Sequence, residues 1–247
     1  MARIAVFGDI HGNAVALDAV RKAVKAAKPD AVMVTGDLVL NGPEPAAAVD
    51  GVRELEADGA LVVQGNTDVA VADFDYAAAF PWLTEGVPES FRAAAEWAHD
   101  ALGPERVDWL RRLPSERRLR TEDALTLVCH ASPGSQTGGF DQVLDPNVTL
   151  ERASRTDARV ICCGHTHLPE VRDLGWKVIV NAGSAGYVFD GDPTASWALV
   201  DIADGEVTAE IRRTEFDVMV VSNGISARGL QGDVYRAATV RTGKLVR

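Results

Sequence analysis

Residues 2–27 read ARIAVFGDIHGNAVALDAVRKAVKAA, and this stretch decides the architecture. The run 2–7 is apolar apart from Arg3, as a buried strand is. It breaks at Gly8-Asp9-Ile10-His11-Gly12-Asn13, and residues 14–27 then place Leu17, Val20 and Val24 at helical spacing. Strand, polar turn and helix open a βα unit, and the pattern recurs. AVMVT (31–35) precedes a Pro-opened, Ala-rich helix over 43–58, and ALVVQ (60–64) is a third strand. Short β-branched runs separated by helices predict parallel βαβ units. Further strands are expected at 125–129, 159–163, 177–181, 196–201 and 206–213, with one or two helices near 216–227 and 232–240.

Residues 74–118 interrupt this rhythm and hold three of the five Trp, namely Trp82, Trp97 and Trp109. Pro88 starts a helix whose Phe91, Ala95, Ala98 and Leu102 share one face and which closes at Gly103-Pro104. A second short helix runs to Pro114. The segment is longer than an ordinary connection and predicts a helical cap inserted into one domain spanning 1–247.

Composition bounds the function. The chain has 247 residues, 47% of them hydrophobic and 25% charged, which excludes a largely disordered chain. A net charge of −11 argues against non-specific nucleic-acid or anionic-membrane binding. No apolar run approaches the roughly 18 residues that span a bilayer. Cys129, Cys162 and Cys163 sit in apolar runs and read as buried, reduced thiols of a cytoplasmic protein.

Five polar clusters each follow a strand: Asp9-Ile10-His11, Gly36-Asp37, Gly65-Asn66-Thr67-Asp68, His130, and Gly164-His165-Thr166-His167. In open α/β sheets ligands gather beyond the carboxyl ends of the strands, so all five converge on one edge. Four of the five His lie in these clusters. Imidazole, carboxylate and amide oxygen together suit divalent ions such as Mn, Fe, Zn, Co or Mg. Asp9, His11, Asp37, Asn66, His130, His165 and His167 are too many ligands for one tetrahedral site and suit two metals sharing a carboxylate. Glycines before Asp9, Asp37, Asn66 and His165 allow backbone to approach closely. Asn13 reads both as the cap of the first helix and as a phosphate contact.

GDIHGN, GDLV, GNTD, the lone His130 and GHTH stand in the order and approximate spacing of the calcineurin-like metallophosphoesterase superfamily, which the chain resembles over 1–72 and 120–202. The small bacterial and archaeal phosphodiesterase branch is most similar in appearance; its Asn-Pro-Gly-Ser stretch has a counterpart in Asn181-Ala182-Gly183-Ser184. The resemblance implies a four-layer αββα sandwich, two mixed β-sheets flanked by helices. It implies two divalent ions per chain, Mn or Fe first, with Zn, Ni and Mg as further candidates. One would take Asp9, His11, Asp37 and His167, the other Asp37, Asn66, His130 and His165, with Asp37 bridging. Asp37, Asn66 and His130 are the candidate catalytic residues, and Asn13 and Asn41 the candidate contacts to a small phosphate-ester substrate. The chemistry implied is attack by a hydroxide bridging two cations about 3.5–4 Å apart. A homo-oligomer is compatible with all of this.

The family often carries His directly after the motif Asn as a general acid; here that residue is Thr67. General-acid help is worth about 10²–10⁴-fold, so turnover should favour good leaving groups unless another group substitutes. His99, the one remaining His, is the candidate; its plainer reading is a surface residue. Arg111, Arg112, Arg117, Arg118 and Arg120 form a basic cluster that could guide an anionic substrate or simply be solvated. Cys129 adjoins His130, but neighbours on a strand point to opposite faces. The reading is thus a phosphoesterase, with a phosphodiester preferred. A phosphomonoesterase of the protein serine/threonine phosphatase or dinucleoside polyphosphate hydrolase type is the near alternative, and a non-enzymatic scaffold the third. The monoesterase pattern Gly-Asp-x-x-Asp-Arg-Gly is absent: Leu40-Asn41 replaces its Asp-Arg.

Overall fold

The computed structural model describes residues 1–247. Strand β1 (Ala2–Phe7) sends alternate side chains into two cores: Ile4 and Val6 into one, Ala5 and Phe7 into the other. It lies between a parallel neighbour, β2 (Ala31–Val34), and an antiparallel one, β9 (Ala195–Ala203). The two-residue β3 (Leu61–Val62) extends the sheet parallel beyond β2, and β10 (Glu206–Thr214) extends it antiparallel beyond β9. The second sheet runs in the order β4 (Glu116–Arg120), β5 (Leu125–Cys129), β6 (Val160–Cys163), β8 (Val178–Asn181), β7 (Glu170–Asp173). Its three central strands are parallel and its two edges antiparallel.

The sheets pack face to face through one apolar cluster in which Ile4, Val6 and Met33 meet Val128, Val160 and Val180. Outside the first sheet lie α1 (Ala14–Ala27), α2 (Pro45–Ala57), α3 (Asn66–Asp73) and α5 (Glu89–Arg112), buried through Leu17, Val20, Val49, Val71 and Leu102. Outside the second lies α6 (Pro146–Ala153), with Ala153 against Leu127 and Ile161. The result is the four-layer α/β sandwich with two mixed sheets that the motifs implied. A C-terminal hairpin, α7 (Val218–Arg228) and α8 (Asp233–Thr242), packs Val221, Ile225 and Val240 on Tyr187. Its buried Arg228 pairs with buried Asp233 at 2.5 Å, donates to the Gly42 carbonyl, and lies 4.7 Å over the Trp97 ring. No helix is long and apolar enough to cross a membrane.

The expected helical segment 74–118 needs correction at its C-terminal end. Its helices are α4 (Tyr76–Ala79) and α5, which breaks at Gly103 (φ 68°, ψ 168°) into two helical halves, as the sequence predicts. Pro104 costs no helical bond because its missing N–H falls at the first position of the second half. The helices stop at Arg112, and Glu116–Arg120 is an edge strand. The basic cluster is therefore split. Arg111 pairs with Asp73 and Asp108, Arg117 with Glu56, and Arg118 with Asp157. Charged side chains on an edge strand discourage further pairing, and here Arg117 and Arg118 form surface ion pairs. Cys129 and Cys163 face the outer core of the second sheet and Cys162 the inter-sheet core, all buried and free.

Candidate metal centre

The carboxyl ends of β1, β2, β5 and β6, together with the loop after β3, meet at one edge. Asp9, His11, Asp37 and His167 offer ligand atoms that all lie within 4.8 Å of one another, and all four are buried. His11 Nε2 stands 3.1 Å from His167 Nε2 and 3.6 Å from Asp37 Oδ2; His167 Nε2 stands 3.2 Å from Asp9 Oδ1. A second group adjoins the first. His130 Nε2 lies 2.9 Å from Asn66 Oδ1, 3.1 Å from His165 Nδ1 and 3.4 Å from Asp37 Oδ1, and His165 Nδ1 lies 3.0 Å from Asn66 Oδ1. Asp37 thus turns one oxygen to each group.

These donors fit divalent cations. Ligand bonds of about 2.0–2.2 Å produce ligand–ligand edges of roughly 2.8–3.6 Å, the range of the neighbouring pairs given above. The inward nitrogens are also held there from behind. His130 Nδ1 donates to the Thr35 carbonyl at 2.7 Å and His167 Nδ1 to the Tyr187 carbonyl, leaving each Nε2 a lone pair. Asn41 Nδ2 lies 3.3 Å from His11 Nδ1. Asn66 Nδ2 donates to the Ala79 carbonyl at 3.1 Å, which fixes its oxygen inward. The charges point the same way. Burial and the neighbouring His167 hold the His11 pKa well below its usual value, and burial pushes His165 down to about 4. Burial also works against a charged His130, but Asp37 and Asp9 outweigh it and raise that pKa. Two buried carboxylates beside His11 and His165, both biased toward neutrality, leave negative charge that a cation can balance.

The backbone supports the arrangement at a cost. Asp9, His11, Asp37, His165 and His167 all adopt left-handed conformations, with φ from 50° to 71°, where a non-glycine residue costs about 1–2 kcal/mol. The glycines before the ligands serve close approach: a Cβ on Gly65 would overlap Asp37, and one on Gly164 would overlap Asp9.

The side chains of Asn13 and His99 are both held by backbone. Asn13 caps α1, accepting from Ala16 N at 2.9 Å, while its Nδ2 donates to the Gly186 carbonyl at 3.0 Å. Both ends of the amide bond to backbone, as the cap reading expects. His99 does not lean over the centre: its Nδ1 donates to the Val71 carbonyl at 2.7 Å and its ring packs on Phe74. Thr67 is buried; its N–H donates to Asp37 Oδ1 at 2.8 Å and its hydroxyl to the Val39 carbonyl at 3.1 Å.

Sequence reasoning missed the supporting residues. Buried Asp68 accepts from Leu38 N at 2.8 Å and Gly65 N at 2.9 Å, tying the two loops around Asp37; burial and Asp37 raise its pKa to about 7. Ser184 Oγ donates to the Asp9 carbonyl at 2.7 Å. Both stand inside motifs that were read for other members. Phe189 stacks on His167 with centroids 4.2 Å apart, and Trp82 approaches His165 edge-on; no local signal marks either.

The family model for the calcineurin-like phosphoesterase superfamily domain matches residues 2–205. An uncharacterised protein of Methanocaldococcus jannaschii, MJ0912, is 27% identical over 233 residues, covering 87% of this chain and 88% of that one. A crystal structure titled as a metallophosphoesterase from Sphaerobacter thermophilus superposes with a TM-score of 0.74 at 26% identity, covering 98% of this chain and 99% of the other. The hypothetical protein PH1004 of Pyrococcus horikoshii shares the fold, with a TM-score of 0.82 at 21% identity, covering 98% of this chain and 99% of that one.

Proposed function

The chain belongs to the calcineurin-like phosphoesterase superfamily, and from that membership we propose that it is a metal-dependent phosphoesterase that uses two divalent ions, Mn or Fe first, and prefers phosphodiesters. The observation that carries the proposal is Asp37, whose Oδ1 faces His130 and whose Oδ2 faces His11. Asp9, His11 and His167 would hold one ion, Asn66, His130 and His165 the other, and Asp37 both. Bound there, the ions would acidify water and neutralise phosphoryl charge.

The remaining work falls to this chain's own groups. Asp68 and the Thr67 N–H hold the loops and the carboxylate of Asp37 in place. Thr35, Tyr187 and Ala79 aim His130, His167 and Asn66 through their carbonyls. Where monoesterase relatives carry Arg, Asn41 sets its amide against His11. A dianionic monoester gains no guanidinium there, which supports a diester with its single charge. The Thr67 hydroxyl is already donated to Val39, so the leaving group must depart without a proton from that position. Buried, reduced thiols suit a reducing compartment such as the cytoplasm.

The test is metal analysis with hydrolysis of bis-p-nitrophenyl phosphate by Mn²⁺-loaded protein. Two equivalents and a diester rate above the monoester rate are expected. Asp37→Asn should lose at least one ion and about a hundredfold or more of the activity. No bound metal after loading, or near-normal hydrolysis in Asp37→Asn, overturns the proposal.

A further inference from the structure

The insertion brings an aromatic surface to the rim of the metal centre. Trp82 is 53% exposed, and its ring stands edge-on to His165, with centroids 6.2 Å apart and planes at 64°. It is supported from below. Phe80 is buried and meets Trp82 edge-to-face at 5.7 Å, and Phe91 meets Phe80 in the same manner at 5.5 Å. The turn that carries the indole is pinned by Leu83 N–H to the Phe80 carbonyl at 2.9 Å and Gly86 N–H to the Leu83 carbonyl at 3.1 Å. The same insertion fixes Asn66 through the Ala79 carbonyl, so the position of the indole is tied to that of two candidate ligands.

Phe80 already seals the apolar core beneath the turn, and the indole remains in solvent on a rigid support. Rigid, exposed aromatic rings are the platforms on which nucleobases stack, because every base offers a π-face. Reach and direction agree: the ring borders His165, at the edge of the group where a phosphate would sit.

We propose that Trp82 is a base-stacking platform and that the substrates of this centre are nucleotide phosphoesters, the phosphate lying at the strand ends and the base across the indole. This inference rests on the phosphoesterase reading and narrows its substrate class. Trp82 is a specificity residue in it, and the platform explains why the insertion spends an exposed indole beside a ligand.

Calorimetric titration of the Mn²⁺-loaded protein with AMP and with ribose 5-phosphate tests it, since the two share phosphate and sugar and differ only in the base. Wild type should bind AMP about five- to hundredfold more tightly, the range that stacking of one base supplies. Trp82→Ala should collapse the ratio of the two dissociation constants toward one, and Trp82→Phe should keep part of it. Equal affinities in wild type, or a ratio that survives Trp82→Ala, overturn the platform while leaving the phosphoesterase reading intact. Failure of both ligands to bind overturns the platform, while the phosphoesterase reading is decided by the metal and diester assays above. A Trp82→Ala variant that keeps the ratio but changes its sedimentation coefficient assigns the indole to contact with a second copy, and also overturns the proposal.

Discussion

Replacing Gly65 by Ala adds one carbon at the point where the loop after β3 crosses the loop after β2. The backbone at Gly65, φ −98° and ψ 174°, is extended and suits alanine, so any effect is steric. The new Cβ would overlap the backbone nitrogen and Oδ1 of Asp37 and stand 2.9 Å from its Cγ, whereas ordinary contact begins at 3.4 Å. Turning the Asp37 side chain cannot relieve the backbone overlap, so the two loops must part by roughly one ångström, at an overpacking cost of about 1–3 kcal/mol. That corresponds to a Tm lower by roughly 2–12 °C for a domain of this size. Parting the loops also stretches the bond from Thr67 N–H to Asp37 and the bond from Leu38 N–H to Asp68. Misplacement of about 1 Å costs on the order of a hundredfold in rate, and at least one metal equivalent should go with it. Gly59→Ala is the control. Gly59 has φ 100° with nothing within 4 Å, so it should cost about 1 kcal/mol of backbone strain and leave metal content and rate as they were. Wild-type metal stoichiometry and more than half the wild-type rate in Gly65→Ala would refute the claim that Asp37 is held by close approach.

Thr67→His introduces an imidazole beside Asn66; at unchanged metal content it should raise rates on alkyl esters more than on nitrophenyl esters, up to about 10²-fold, and an equal change on both would show that the proton already comes from elsewhere. His99→Ala should cost about 1 kcal/mol of stability in urea denaturation, for the lost bond to Val71, with kcat within twofold; a tenfold loss of kcat would return His99 to the site. Asp233→Ala leaves the buried Arg228 and Arg236 without their carboxylate and should cost about 3–5 kcal/mol by the same measurement, a loss under 1 kcal/mol refuting the buried pair. Burial raises the pKa of all three thiols, that of Cys162 to about 12, so a thiol reagent at pH 8 should label none of them in native protein and three after denaturation.

What the sequence made legible was chemistry that is local. Each cluster after a strand needs only its own few residues to be read, and the strand-end rule supplies their convergence. The strands buried on both faces were legible for the same reason. The edge strands of the second sheet were not: Glu116–Arg120 and Glu170–Asp173 are charged and pair on one side only, so no apolar run marks them. Helix α3 hid because it begins inside the motif itself, at Asn66, and is buried nearly all round, which erases its periodicity. The left-handed backbone of Asp9, His11, Asp37, His165 and His167 runs against residue preference and is imposed by the surrounding loops. The placement of Trp82 depends on how the whole insertion folds, and the backbone partners of Asn13 and His99, Gly186 and Val71, lie far away along the chain where no local pattern reveals them.

The strand order also sets a timetable for synthesis. β1 lies at the centre of its sheet, yet one of its two neighbours is β9: Ile4 pairs with Val200, 196 positions later. A ribosome adding about 5–20 residues per second leaves that edge of β1 open for roughly 10–40 s. The second sheet waits much less, because all five of its strands fall between Glu116 and Asn181. Nascent chains should therefore complete the later sheet first, and the earliest-made strand should be among the last to gain both partners. Until then its apolar residues Ile4, Val6 and Phe7 are exposed to other chains, which makes the N-terminal strand the segment most in need of a chaperone during translation.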